Sequence, residues 1–148
     1  MITHSSSETE KLGEKLAKKV KKIKKGVVIA LYGELGSGKT TFVKGLAKGL
    51  GIKKRIISPT FIFIREYSLV ARNTKHVTRN FYHIDLYRIN EAKDARGLGL
   101  EEILVDPQNV VTIEWAEKIK NLLPKKRIDI FFRYLREDKR KITLKMLQ

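Results

Sequence analysis

The sequence predicts an α/β domain of three layers, α/β/α, with a mixed, mainly parallel sheet and an antiparallel hairpin. Three observations predict it. A short β-branched apolar run, VVIALYG (27–33), passes through a glycine-rich loop straight into a helical pattern. Further apolar runs of strand length follow, separated by short helical or turn-like segments. The length, 148 residues, suits one domain over 1–148, and a hydrophobic content of 42% is enough for a core.

The elements follow in order. SETEKLGEKLAKKVKKIKK (7–25) reads as an amphipathic helix, with Leu12, Leu16, Val20 and Ile23 at spacings of three and four. Ser7 with Glu10 predicts a capping box at its start, and Gly26 its end. The strand at 27–33 leads into a loop at 33–38. A helix follows from about Lys39 to Leu50, stopped by Gly49 and Gly51. The run 55–69 is strand-rich, with Pro59 as a bend at its beginning. The stretch 71–80 is polar and turn-like, so 55–69 and FYHIDLYRI (81–89) are expected to pair as an antiparallel hairpin. EAKDARGLGLEEIL predicts one or two short helices, and VVTIEW (110–115) a buried strand. AEKIKNLLP predicts a short helix closed by Pro124. RIDIFFRYL and KITLKML predict two last strands around the turn REDKR.

Composition narrows the function. The absence of cysteine excludes disulfides and thiolate metal sites. No apolar run approaches the ~18 residues of a membrane span, and MITHSSSETEKLG lacks a signal peptide's apolar stretch. No membrane and a cytoplasmic location are expected. The net charge of +16 and pI near 10.1 fit a polyanionic partner such as RNA or an acidic protein surface. They equally fit a lysine-rich proteome in which lysine coats the surface.

Gly33-x-x-x-x-Gly38-Lys39-Thr40 matches the phosphate-binding loop G-x4-G-K-[ST] between a strand and a helix, and so predicts a P-loop NTPase fold. Glycines let backbone N–H groups wrap a phosphate. The helix N-terminus adds partial positive charge. Lys39 reaches the β- and γ-phosphates, and Thr40 offers a hydroxyl to Mg²⁺. The expected cofactors are ATP and Mg²⁺; ATP is preferred to GTP because no N-K-x-D guanine motif occurs. The metal also calls for a carboxylate after an apolar strand, and Glu114 at the end of VVTIEW supplies one. The plain alternative is a strand-end glutamate on the surface. Trp115, the only tryptophan, either packs beside the nucleotide or belongs to the core. On the strand at 81–89, alternation puts His83, Asp85 and Tyr87 on one face. Asp85 could orient the attacking water with His83 as its hydrogen-bonding partner, or the face could simply be solvated.

Taken together, GELGSGKTTFVKGLAKGLG, SPTF, YHIDLYR, GLEEIL, IEWAEKI and LP stand in the order and approximate spacing of the bacterial TsaE (YjeE) family, which the chain resembles over nearly its whole length. The resemblance implies a small Mg-dependent ATPase, weak alone. It would be required for threonylcarbamoylation of adenosine 37 in tRNAs reading ANN codons. It would act with TsaB and TsaD to allow repeated turnover, meeting tRNA through that complex. It also implies roles for residues. The nucleotide-binding loop would be Gly33, Glu34, Leu35, Gly36, Ser37, Gly38, Lys39, Thr40 and Thr41, with Thr9 and Arg140 near the base. Thr40 and Glu114 would hold the metal, and Asp85, Lys39 and Glu114 would be catalytic. Ser58 to Phe61 would form a switch-type segment, with Thr60 its polar contact. Two departures stand out: Glu34 where Asp is common, and a longer, more basic stretch from Ser68 to Asn80. No arginine finger is obvious, Arg65 and Arg88 being the cis candidates. Two rivals remain: a small-molecule kinase on the same loop, with 71–80 as its lid, and a nucleic-acid-binding module in which ATP is structural.

Overall fold

The computed structural model describes residues 1–58, 63–70 and 77–148. The expectations placed on Pro59, on Thr60 and on the basic stretch across 71–76 therefore lie outside the described residues.

The elements are β1 (Ile2–Thr3), α1 (Ser6–Val20), β2 (Val27–Tyr32), α2 (Lys39–Leu50), β3 (Ile64–Val70), β4 (Val77–Asp85), α3 (Leu100–Val105), β5 (Asn109–Glu114), β6 (Arg127–Arg136) and β7 (Lys139–Leu147). Two 3-10 segments, Ala92–Ala95 and Ala116–Leu122, complete the set. The strands form one sheet in the order β1-β7-β6-β2-β5-β4-β3. Its middle is parallel: β2 pairs β5 and β6, and β4 pairs β5. Its edges are antiparallel: β3 with β4, β6 with β7, and β1 with β7. The expected hairpin and mixed sheet are both present.

Strand alternation builds two cores. From β2, Val27, Ile29 and Leu31 face α1 and α2, where they meet Leu16, Val20, Phe42 and Leu46. Val28 and Ala30 face the other way and join Ile84, Ile113, Leu100, Leu104 and Ile119. Three layers result. Burying each large aliphatic side chain contributes roughly 1.5–3 kcal/mol relative to leaving it exposed.

α1 and α2 pack without side chains between them at their closest point. A Cβ on Gly45 would sit 1.9 Å from the carbonyl oxygen of Glu10. Only glycine permits that approach. Gly49 also lies inside α2, where a Cβ would meet Ala17 and Glu14. It is a packing position and not the predicted stop. The helix ends at Gly51, in left-handed conformation with φ 95°.

Other boundaries differ from expectation for physical reasons. α1 is capped by Ser5 and not Ser7: Ser5 is extended, and its Oγ accepts from Glu8 N at 3.1 Å. α1 stops at Val20, well before Gly26. Arg79, far along the chain, donates to the carbonyls of Val20, Ile23 and Lys25 at 3.4, 3.0 and 2.8 Å. Those bonds satisfy a loop where the lysine-rich periodicity predicts more helix. β4 ends at Asp85 and not at 89, because Asp85 Oδ1 accepts from Tyr87 N at 3.0 Å and turns the chain. β1 is too short to show any periodicity in the sequence.

Candidate functional site

Alternation that sends Phe81 to the α1/α2 face sends His83 and Asp85 there too. On β5, Val110, Thr112 and Glu114 share this face. The two acids are register partners, Asp85 opposite Glu114, and Glu114 also lies opposite Leu31 at the end of β2. Both therefore reach the end of the sheet where β2 gives way to the loop and α2 begins. Asp85 and Glu114 are buried, as are Lys39 and His83.

Each of these four side chains has a specific partner, although the second ring nitrogen of His83, Nδ1, has none among the described residues. Thr40 Oγ1 donates to Glu114, lying 2.8 Å from Oε1 and 3.0 Å from Oε2. His83 Nε2 lies 2.8 Å from Glu114 Oε1. The histidine thus braces Glu114 and not Asp85. Residues two apart on one strand are separated by about 6.6 Å of rise, whereas the diagonal neighbour on β5 comes within reach. Ser58 Oγ donates to Asp85 Oδ2 at 3.0 Å. Lys39 Nζ donates to the carbonyls of Gly33 and Glu34 at 2.5 and 2.8 Å. Burial lowers the Lys39 pKa from its ordinary 10.5, and Glu114, Glu117, Asp85 and Glu34 offset part of that shift.

Trp115 follows Glu114 with φ 60°. Positive φ is a genuine outlier for so bulky a residue and costs of order 1–3 kcal/mol. The turn swings the indole over the loop, its ring centroid 4.4 Å from Lys39 Nζ and 5.4 Å from the Tyr87 ring. Trp115 is a wall of the site and, half-buried, packs at the same time against the second core.

A cavity of about 390 Å³ opens here. Leu35 through Thr41 line it, together with Thr9, Ser58, Asp85, Glu114, Trp115 and Arg140. Gly33 and Glu34 do not reach the wall; they serve Lys39 through their carbonyls. Thr9 and Arg140 arrive from opposite ends of the chain because β1 pairs β7, Thr3 opposite Arg140. The Thr9 hydroxyl lies 2.9 Å from that of Thr3, and Arg140 donates to Gly36 O at 3.3 Å. Both flank Gly38: a Cβ there would lie 3.6 Å from Thr9 Cγ2 and 4.0 Å from Arg140 Cγ. Arg65 and Arg88 are not among the residues lining the cavity. Sequence reasoning missed the contributions of Ser5, Ser6 and Asp138. No local signal marks them; sheet pairing brings them in.

The chemistry of the donors fits a nucleotide with a divalent cation. Gly38 caps α2 with φ 100° and offers no side chain to the first-turn N–H groups. Such groups, beside the positive end of the helix dipole, suit phosphate. Among the described residues no cluster of three His, Asp or Glu side chains forms a metal cage. Thr40 and Glu114 match what Mg²⁺ asks of a protein, since it takes one or two carboxylates and draws its other ligands from phosphate and water.

Known proteins resemble this chain in sequence and in fold. The profile of the family described as "Threonylcarbamoyl adenosine biosynthesis protein TsaE" matches residues 3–142. A relative from Bacillus subtilis, named tRNA threonylcarbamoyladenosine biosynthesis protein TsaE, is 41% identical over 120 residues, 81% of this chain and 70% of its own. One of the same name from Treponema pallidum is 34% identical over 143 residues, 97% of each chain. The crystal structure of Bacillus YdiB superposes with a TM-score of 0.75 at 34% identity, covering 100% of this chain and 84% of that one. With a family profile spanning nearly the whole chain and relatives matched over most of theirs, the chain belongs to the TsaE family.

Proposed function

We propose that this protein binds and hydrolyses ATP with Mg²⁺. In the cytoplasm it would act with TsaB and TsaD in threonylcarbamoylation of adenosine 37 of tRNAs reading ANN codons, allowing that pair to turn over repeatedly. One observation carries the chemistry: Thr40, Glu114, Lys39 and Asp85 converge on one cavity at the N-terminus of α2. The relatives' names support the pathway.

The residues divide the work. Backbone N–H groups of the loop and Lys39 bind the phosphates. Thr40 and Glu114 would hold Mg²⁺, which would supply neutralisation of phosphate charge. His83 fixes the Glu114 carboxylate from behind. Asp85, held through Ser58 and Tyr87 N, orients water for in-line attack. Trp115 covers Lys39 and excludes solvent from it. Thr9 and Arg140 border the loop on the side where the base would lie. Arg140, which donates to Gly36 O beside the loop, is the one arginine lining the cavity among the described residues, so slow turnover alone and acceleration by the partner pair are expected.

The test is phosphate release by the pure protein, with and without its cognate TsaB–TsaD pair. Strong stimulation that Glu114→Ala abolishes supports the reading. Absence of stimulation, with hydrolysis unchanged in the variant, removes it. ATP consumption that depends on an added metabolite would favour a small-molecule kinase instead.

A further inference from the structure

The end of the sheet remote from the phosphate loop gathers positive charge. β2 and β6 run parallel and adjacent, Ile29 opposite Ile128, so the segments leading into them, 21–26 and 124–127, meet at one end. Lys21, Lys22, Lys24, Lys25, Lys125 and Lys126 are all exposed there. β7 returns antiparallel, Leu147 opposite Arg127, and adds Lys145. No ion pair among the described residues engages any of these seven lysines. Of the acids nearby, Asp129 is paired with Arg127 at 2.7 Å. Asp106 accepts from the neutral Gln108 N–H at 2.8 Å and keeps its charge, one acid against seven lysines.

The lysines are also held in a frame. Arg79 spans the loop between α1 and β2, donating to the Ile23 and Lys25 carbonyls on either side of Lys24. A guanidinium therefore sits beneath the lysines as a strut. It fixes the backbone of 21–25 and adds one more positive charge where the folded chain could have placed a neutral donor.

We propose that this end of the sheet is a docking surface for the phosphate backbone of RNA. Lysine is depleted from the cores of protein–protein interfaces, where aromatic residues concentrate. Segments 21–26, 124–127 and 145–147 contain no aromatic residue; Ile23 and Met146 are their large exposed apolar side chains. Only Lys145 of the seven has a ring beside it among the described residues, the exposed Phe131 at 5.4 Å from its Nζ; the other six read charge and not bases, because phosphate contacts position without specifying sequence and base recognition needs stacking or groove contacts. The surface lies at the opposite end of β2 from Lys39, so RNA docked there leaves the nucleotide cavity clear. It extends the function proposed above and does not depend on ATP hydrolysis.

The experiment is a fluorescence-anisotropy titration of an end-labelled, unmodified tRNA transcript with the full chain, from about 50 to 200 mM salt, the range over which phosphate contacts weaken steeply. The compared variants are K21E/K24E/K125E/K126E and R96E/K120E/R133E/K141E. Both make four charge reversals at exposed sites, the second set away from this end. The first variant is expected to bind at least ~10-fold more weakly, with a log–log salt slope shallower by about 3 to 4, as four lost contacts require. The second is expected to stay within about 3-fold of the parent. Should the first variant fail to fold, K21Q/K24Q/K125Q/K126Q carries the same expectation of weaker binding and a shallower slope. Equal weakening by both sets would reduce the surface to diffuse net charge and overturn the proposal. So would no tRNA binding by the parent at the lowest salt. Polyglutamate of matched charge displacing the tRNA as well as unlabelled RNA does would overturn it in favour of an acidic protein partner.

Discussion

The two ends of the central sheet treat charge in opposite ways. Where α2 begins, Lys39, Asp85, His83 and Glu114 are buried and each has a hydrogen-bonding partner. At the other end seven lysines are exposed, and none is ion-paired among the described residues. The difference teaches that the net charge of +16 says little about the cavity. The excess sits where water screens it. The cavity itself balances Lys39 and Arg140 against Glu114, Asp85 and Asp138. Isolated buried charge is expensive, so the cavity end can carry ions only as partnered groups. The exposed end carries no such condition.

Substitutions can break or sharpen this contrast. The largest effect belongs to the buried acid. Glu114→Gln keeps the shape and removes the charge, and phosphate-release assays should show hydrolysis lower by about 10²–10³, the scale for losing one fixed electrostatic contact at a reacting group. Lys22→Glu, at the other end, should leave the same rate within a factor of about two, as surface changes remote from a site do. A Glu114→Gln enzyme of parental rate would show that the partnered cluster is only structural.

His83→Ala comes next. Removing the group behind a metal-holding carboxylate costs about 10–100-fold in metal affinity or activity. The expected signature is a higher Mg²⁺ concentration for half-maximal nucleotide binding, read with a fluorescent ADP analogue. A change confined to unfolding temperature would instead assign His83 to stability alone.

Gly45→Ala tests how the cavity end is delivered. The added Cβ would meet the Glu10 backbone at 1.9 Å, so overpacking of about 2 kcal/mol is expected. In a chain of this size that lowers the unfolding midpoint by roughly 4–8 °C. Charge reversal at Lys22 should move stability by less than about 0.5 kcal/mol, as exposed sites do.

The smallest effect is pH-dependent. Burial holds the folded Lys39 pKa below 10.5. Between that lowered value and 10.5 the unfolded chain binds the proton that the folded chain has released, so this group makes stability rise with pH across that window. Urea midpoints compared between parent and Lys39→Met should show the rise in the parent and its loss in the variant. Below the lowered pKa both states are protonated and the contribution is flat.

Much of the architecture was legible locally. Spacings of three and four placed α1, the glycine-rich loop and Gly51 bounded α2, alternation put His83 and Asp85 on one face, and the loop from Gly33 to Thr40 stood where expected. The errors share one origin. Ser7 makes a good capping box on paper, yet Ser5 caps α1, beside the strand that β1 forms with β7. Val20 ends α1 where Arg79 takes its carbonyl. Gly49 reads as a stop until α1 is seen packed against it. His83 is bonded to an acid 31 positions away and not to the one beside it.

Local sequence dictates what can bind phosphate, because glycine, lysine and threonine at short fixed spacing act through adjacent backbone and one helix end. Which acid meets Thr40, which histidine steadies it and where the lysines gather are settled by assembly of the sheet. Thr40 and Glu114 lie 74 positions apart, and Arg79 and Ile23 lie 56 apart. Such contacts carry no periodic signal. They exist once β2, β4, β5 and β6 are in register, because register fixes which side chains share a face and an end.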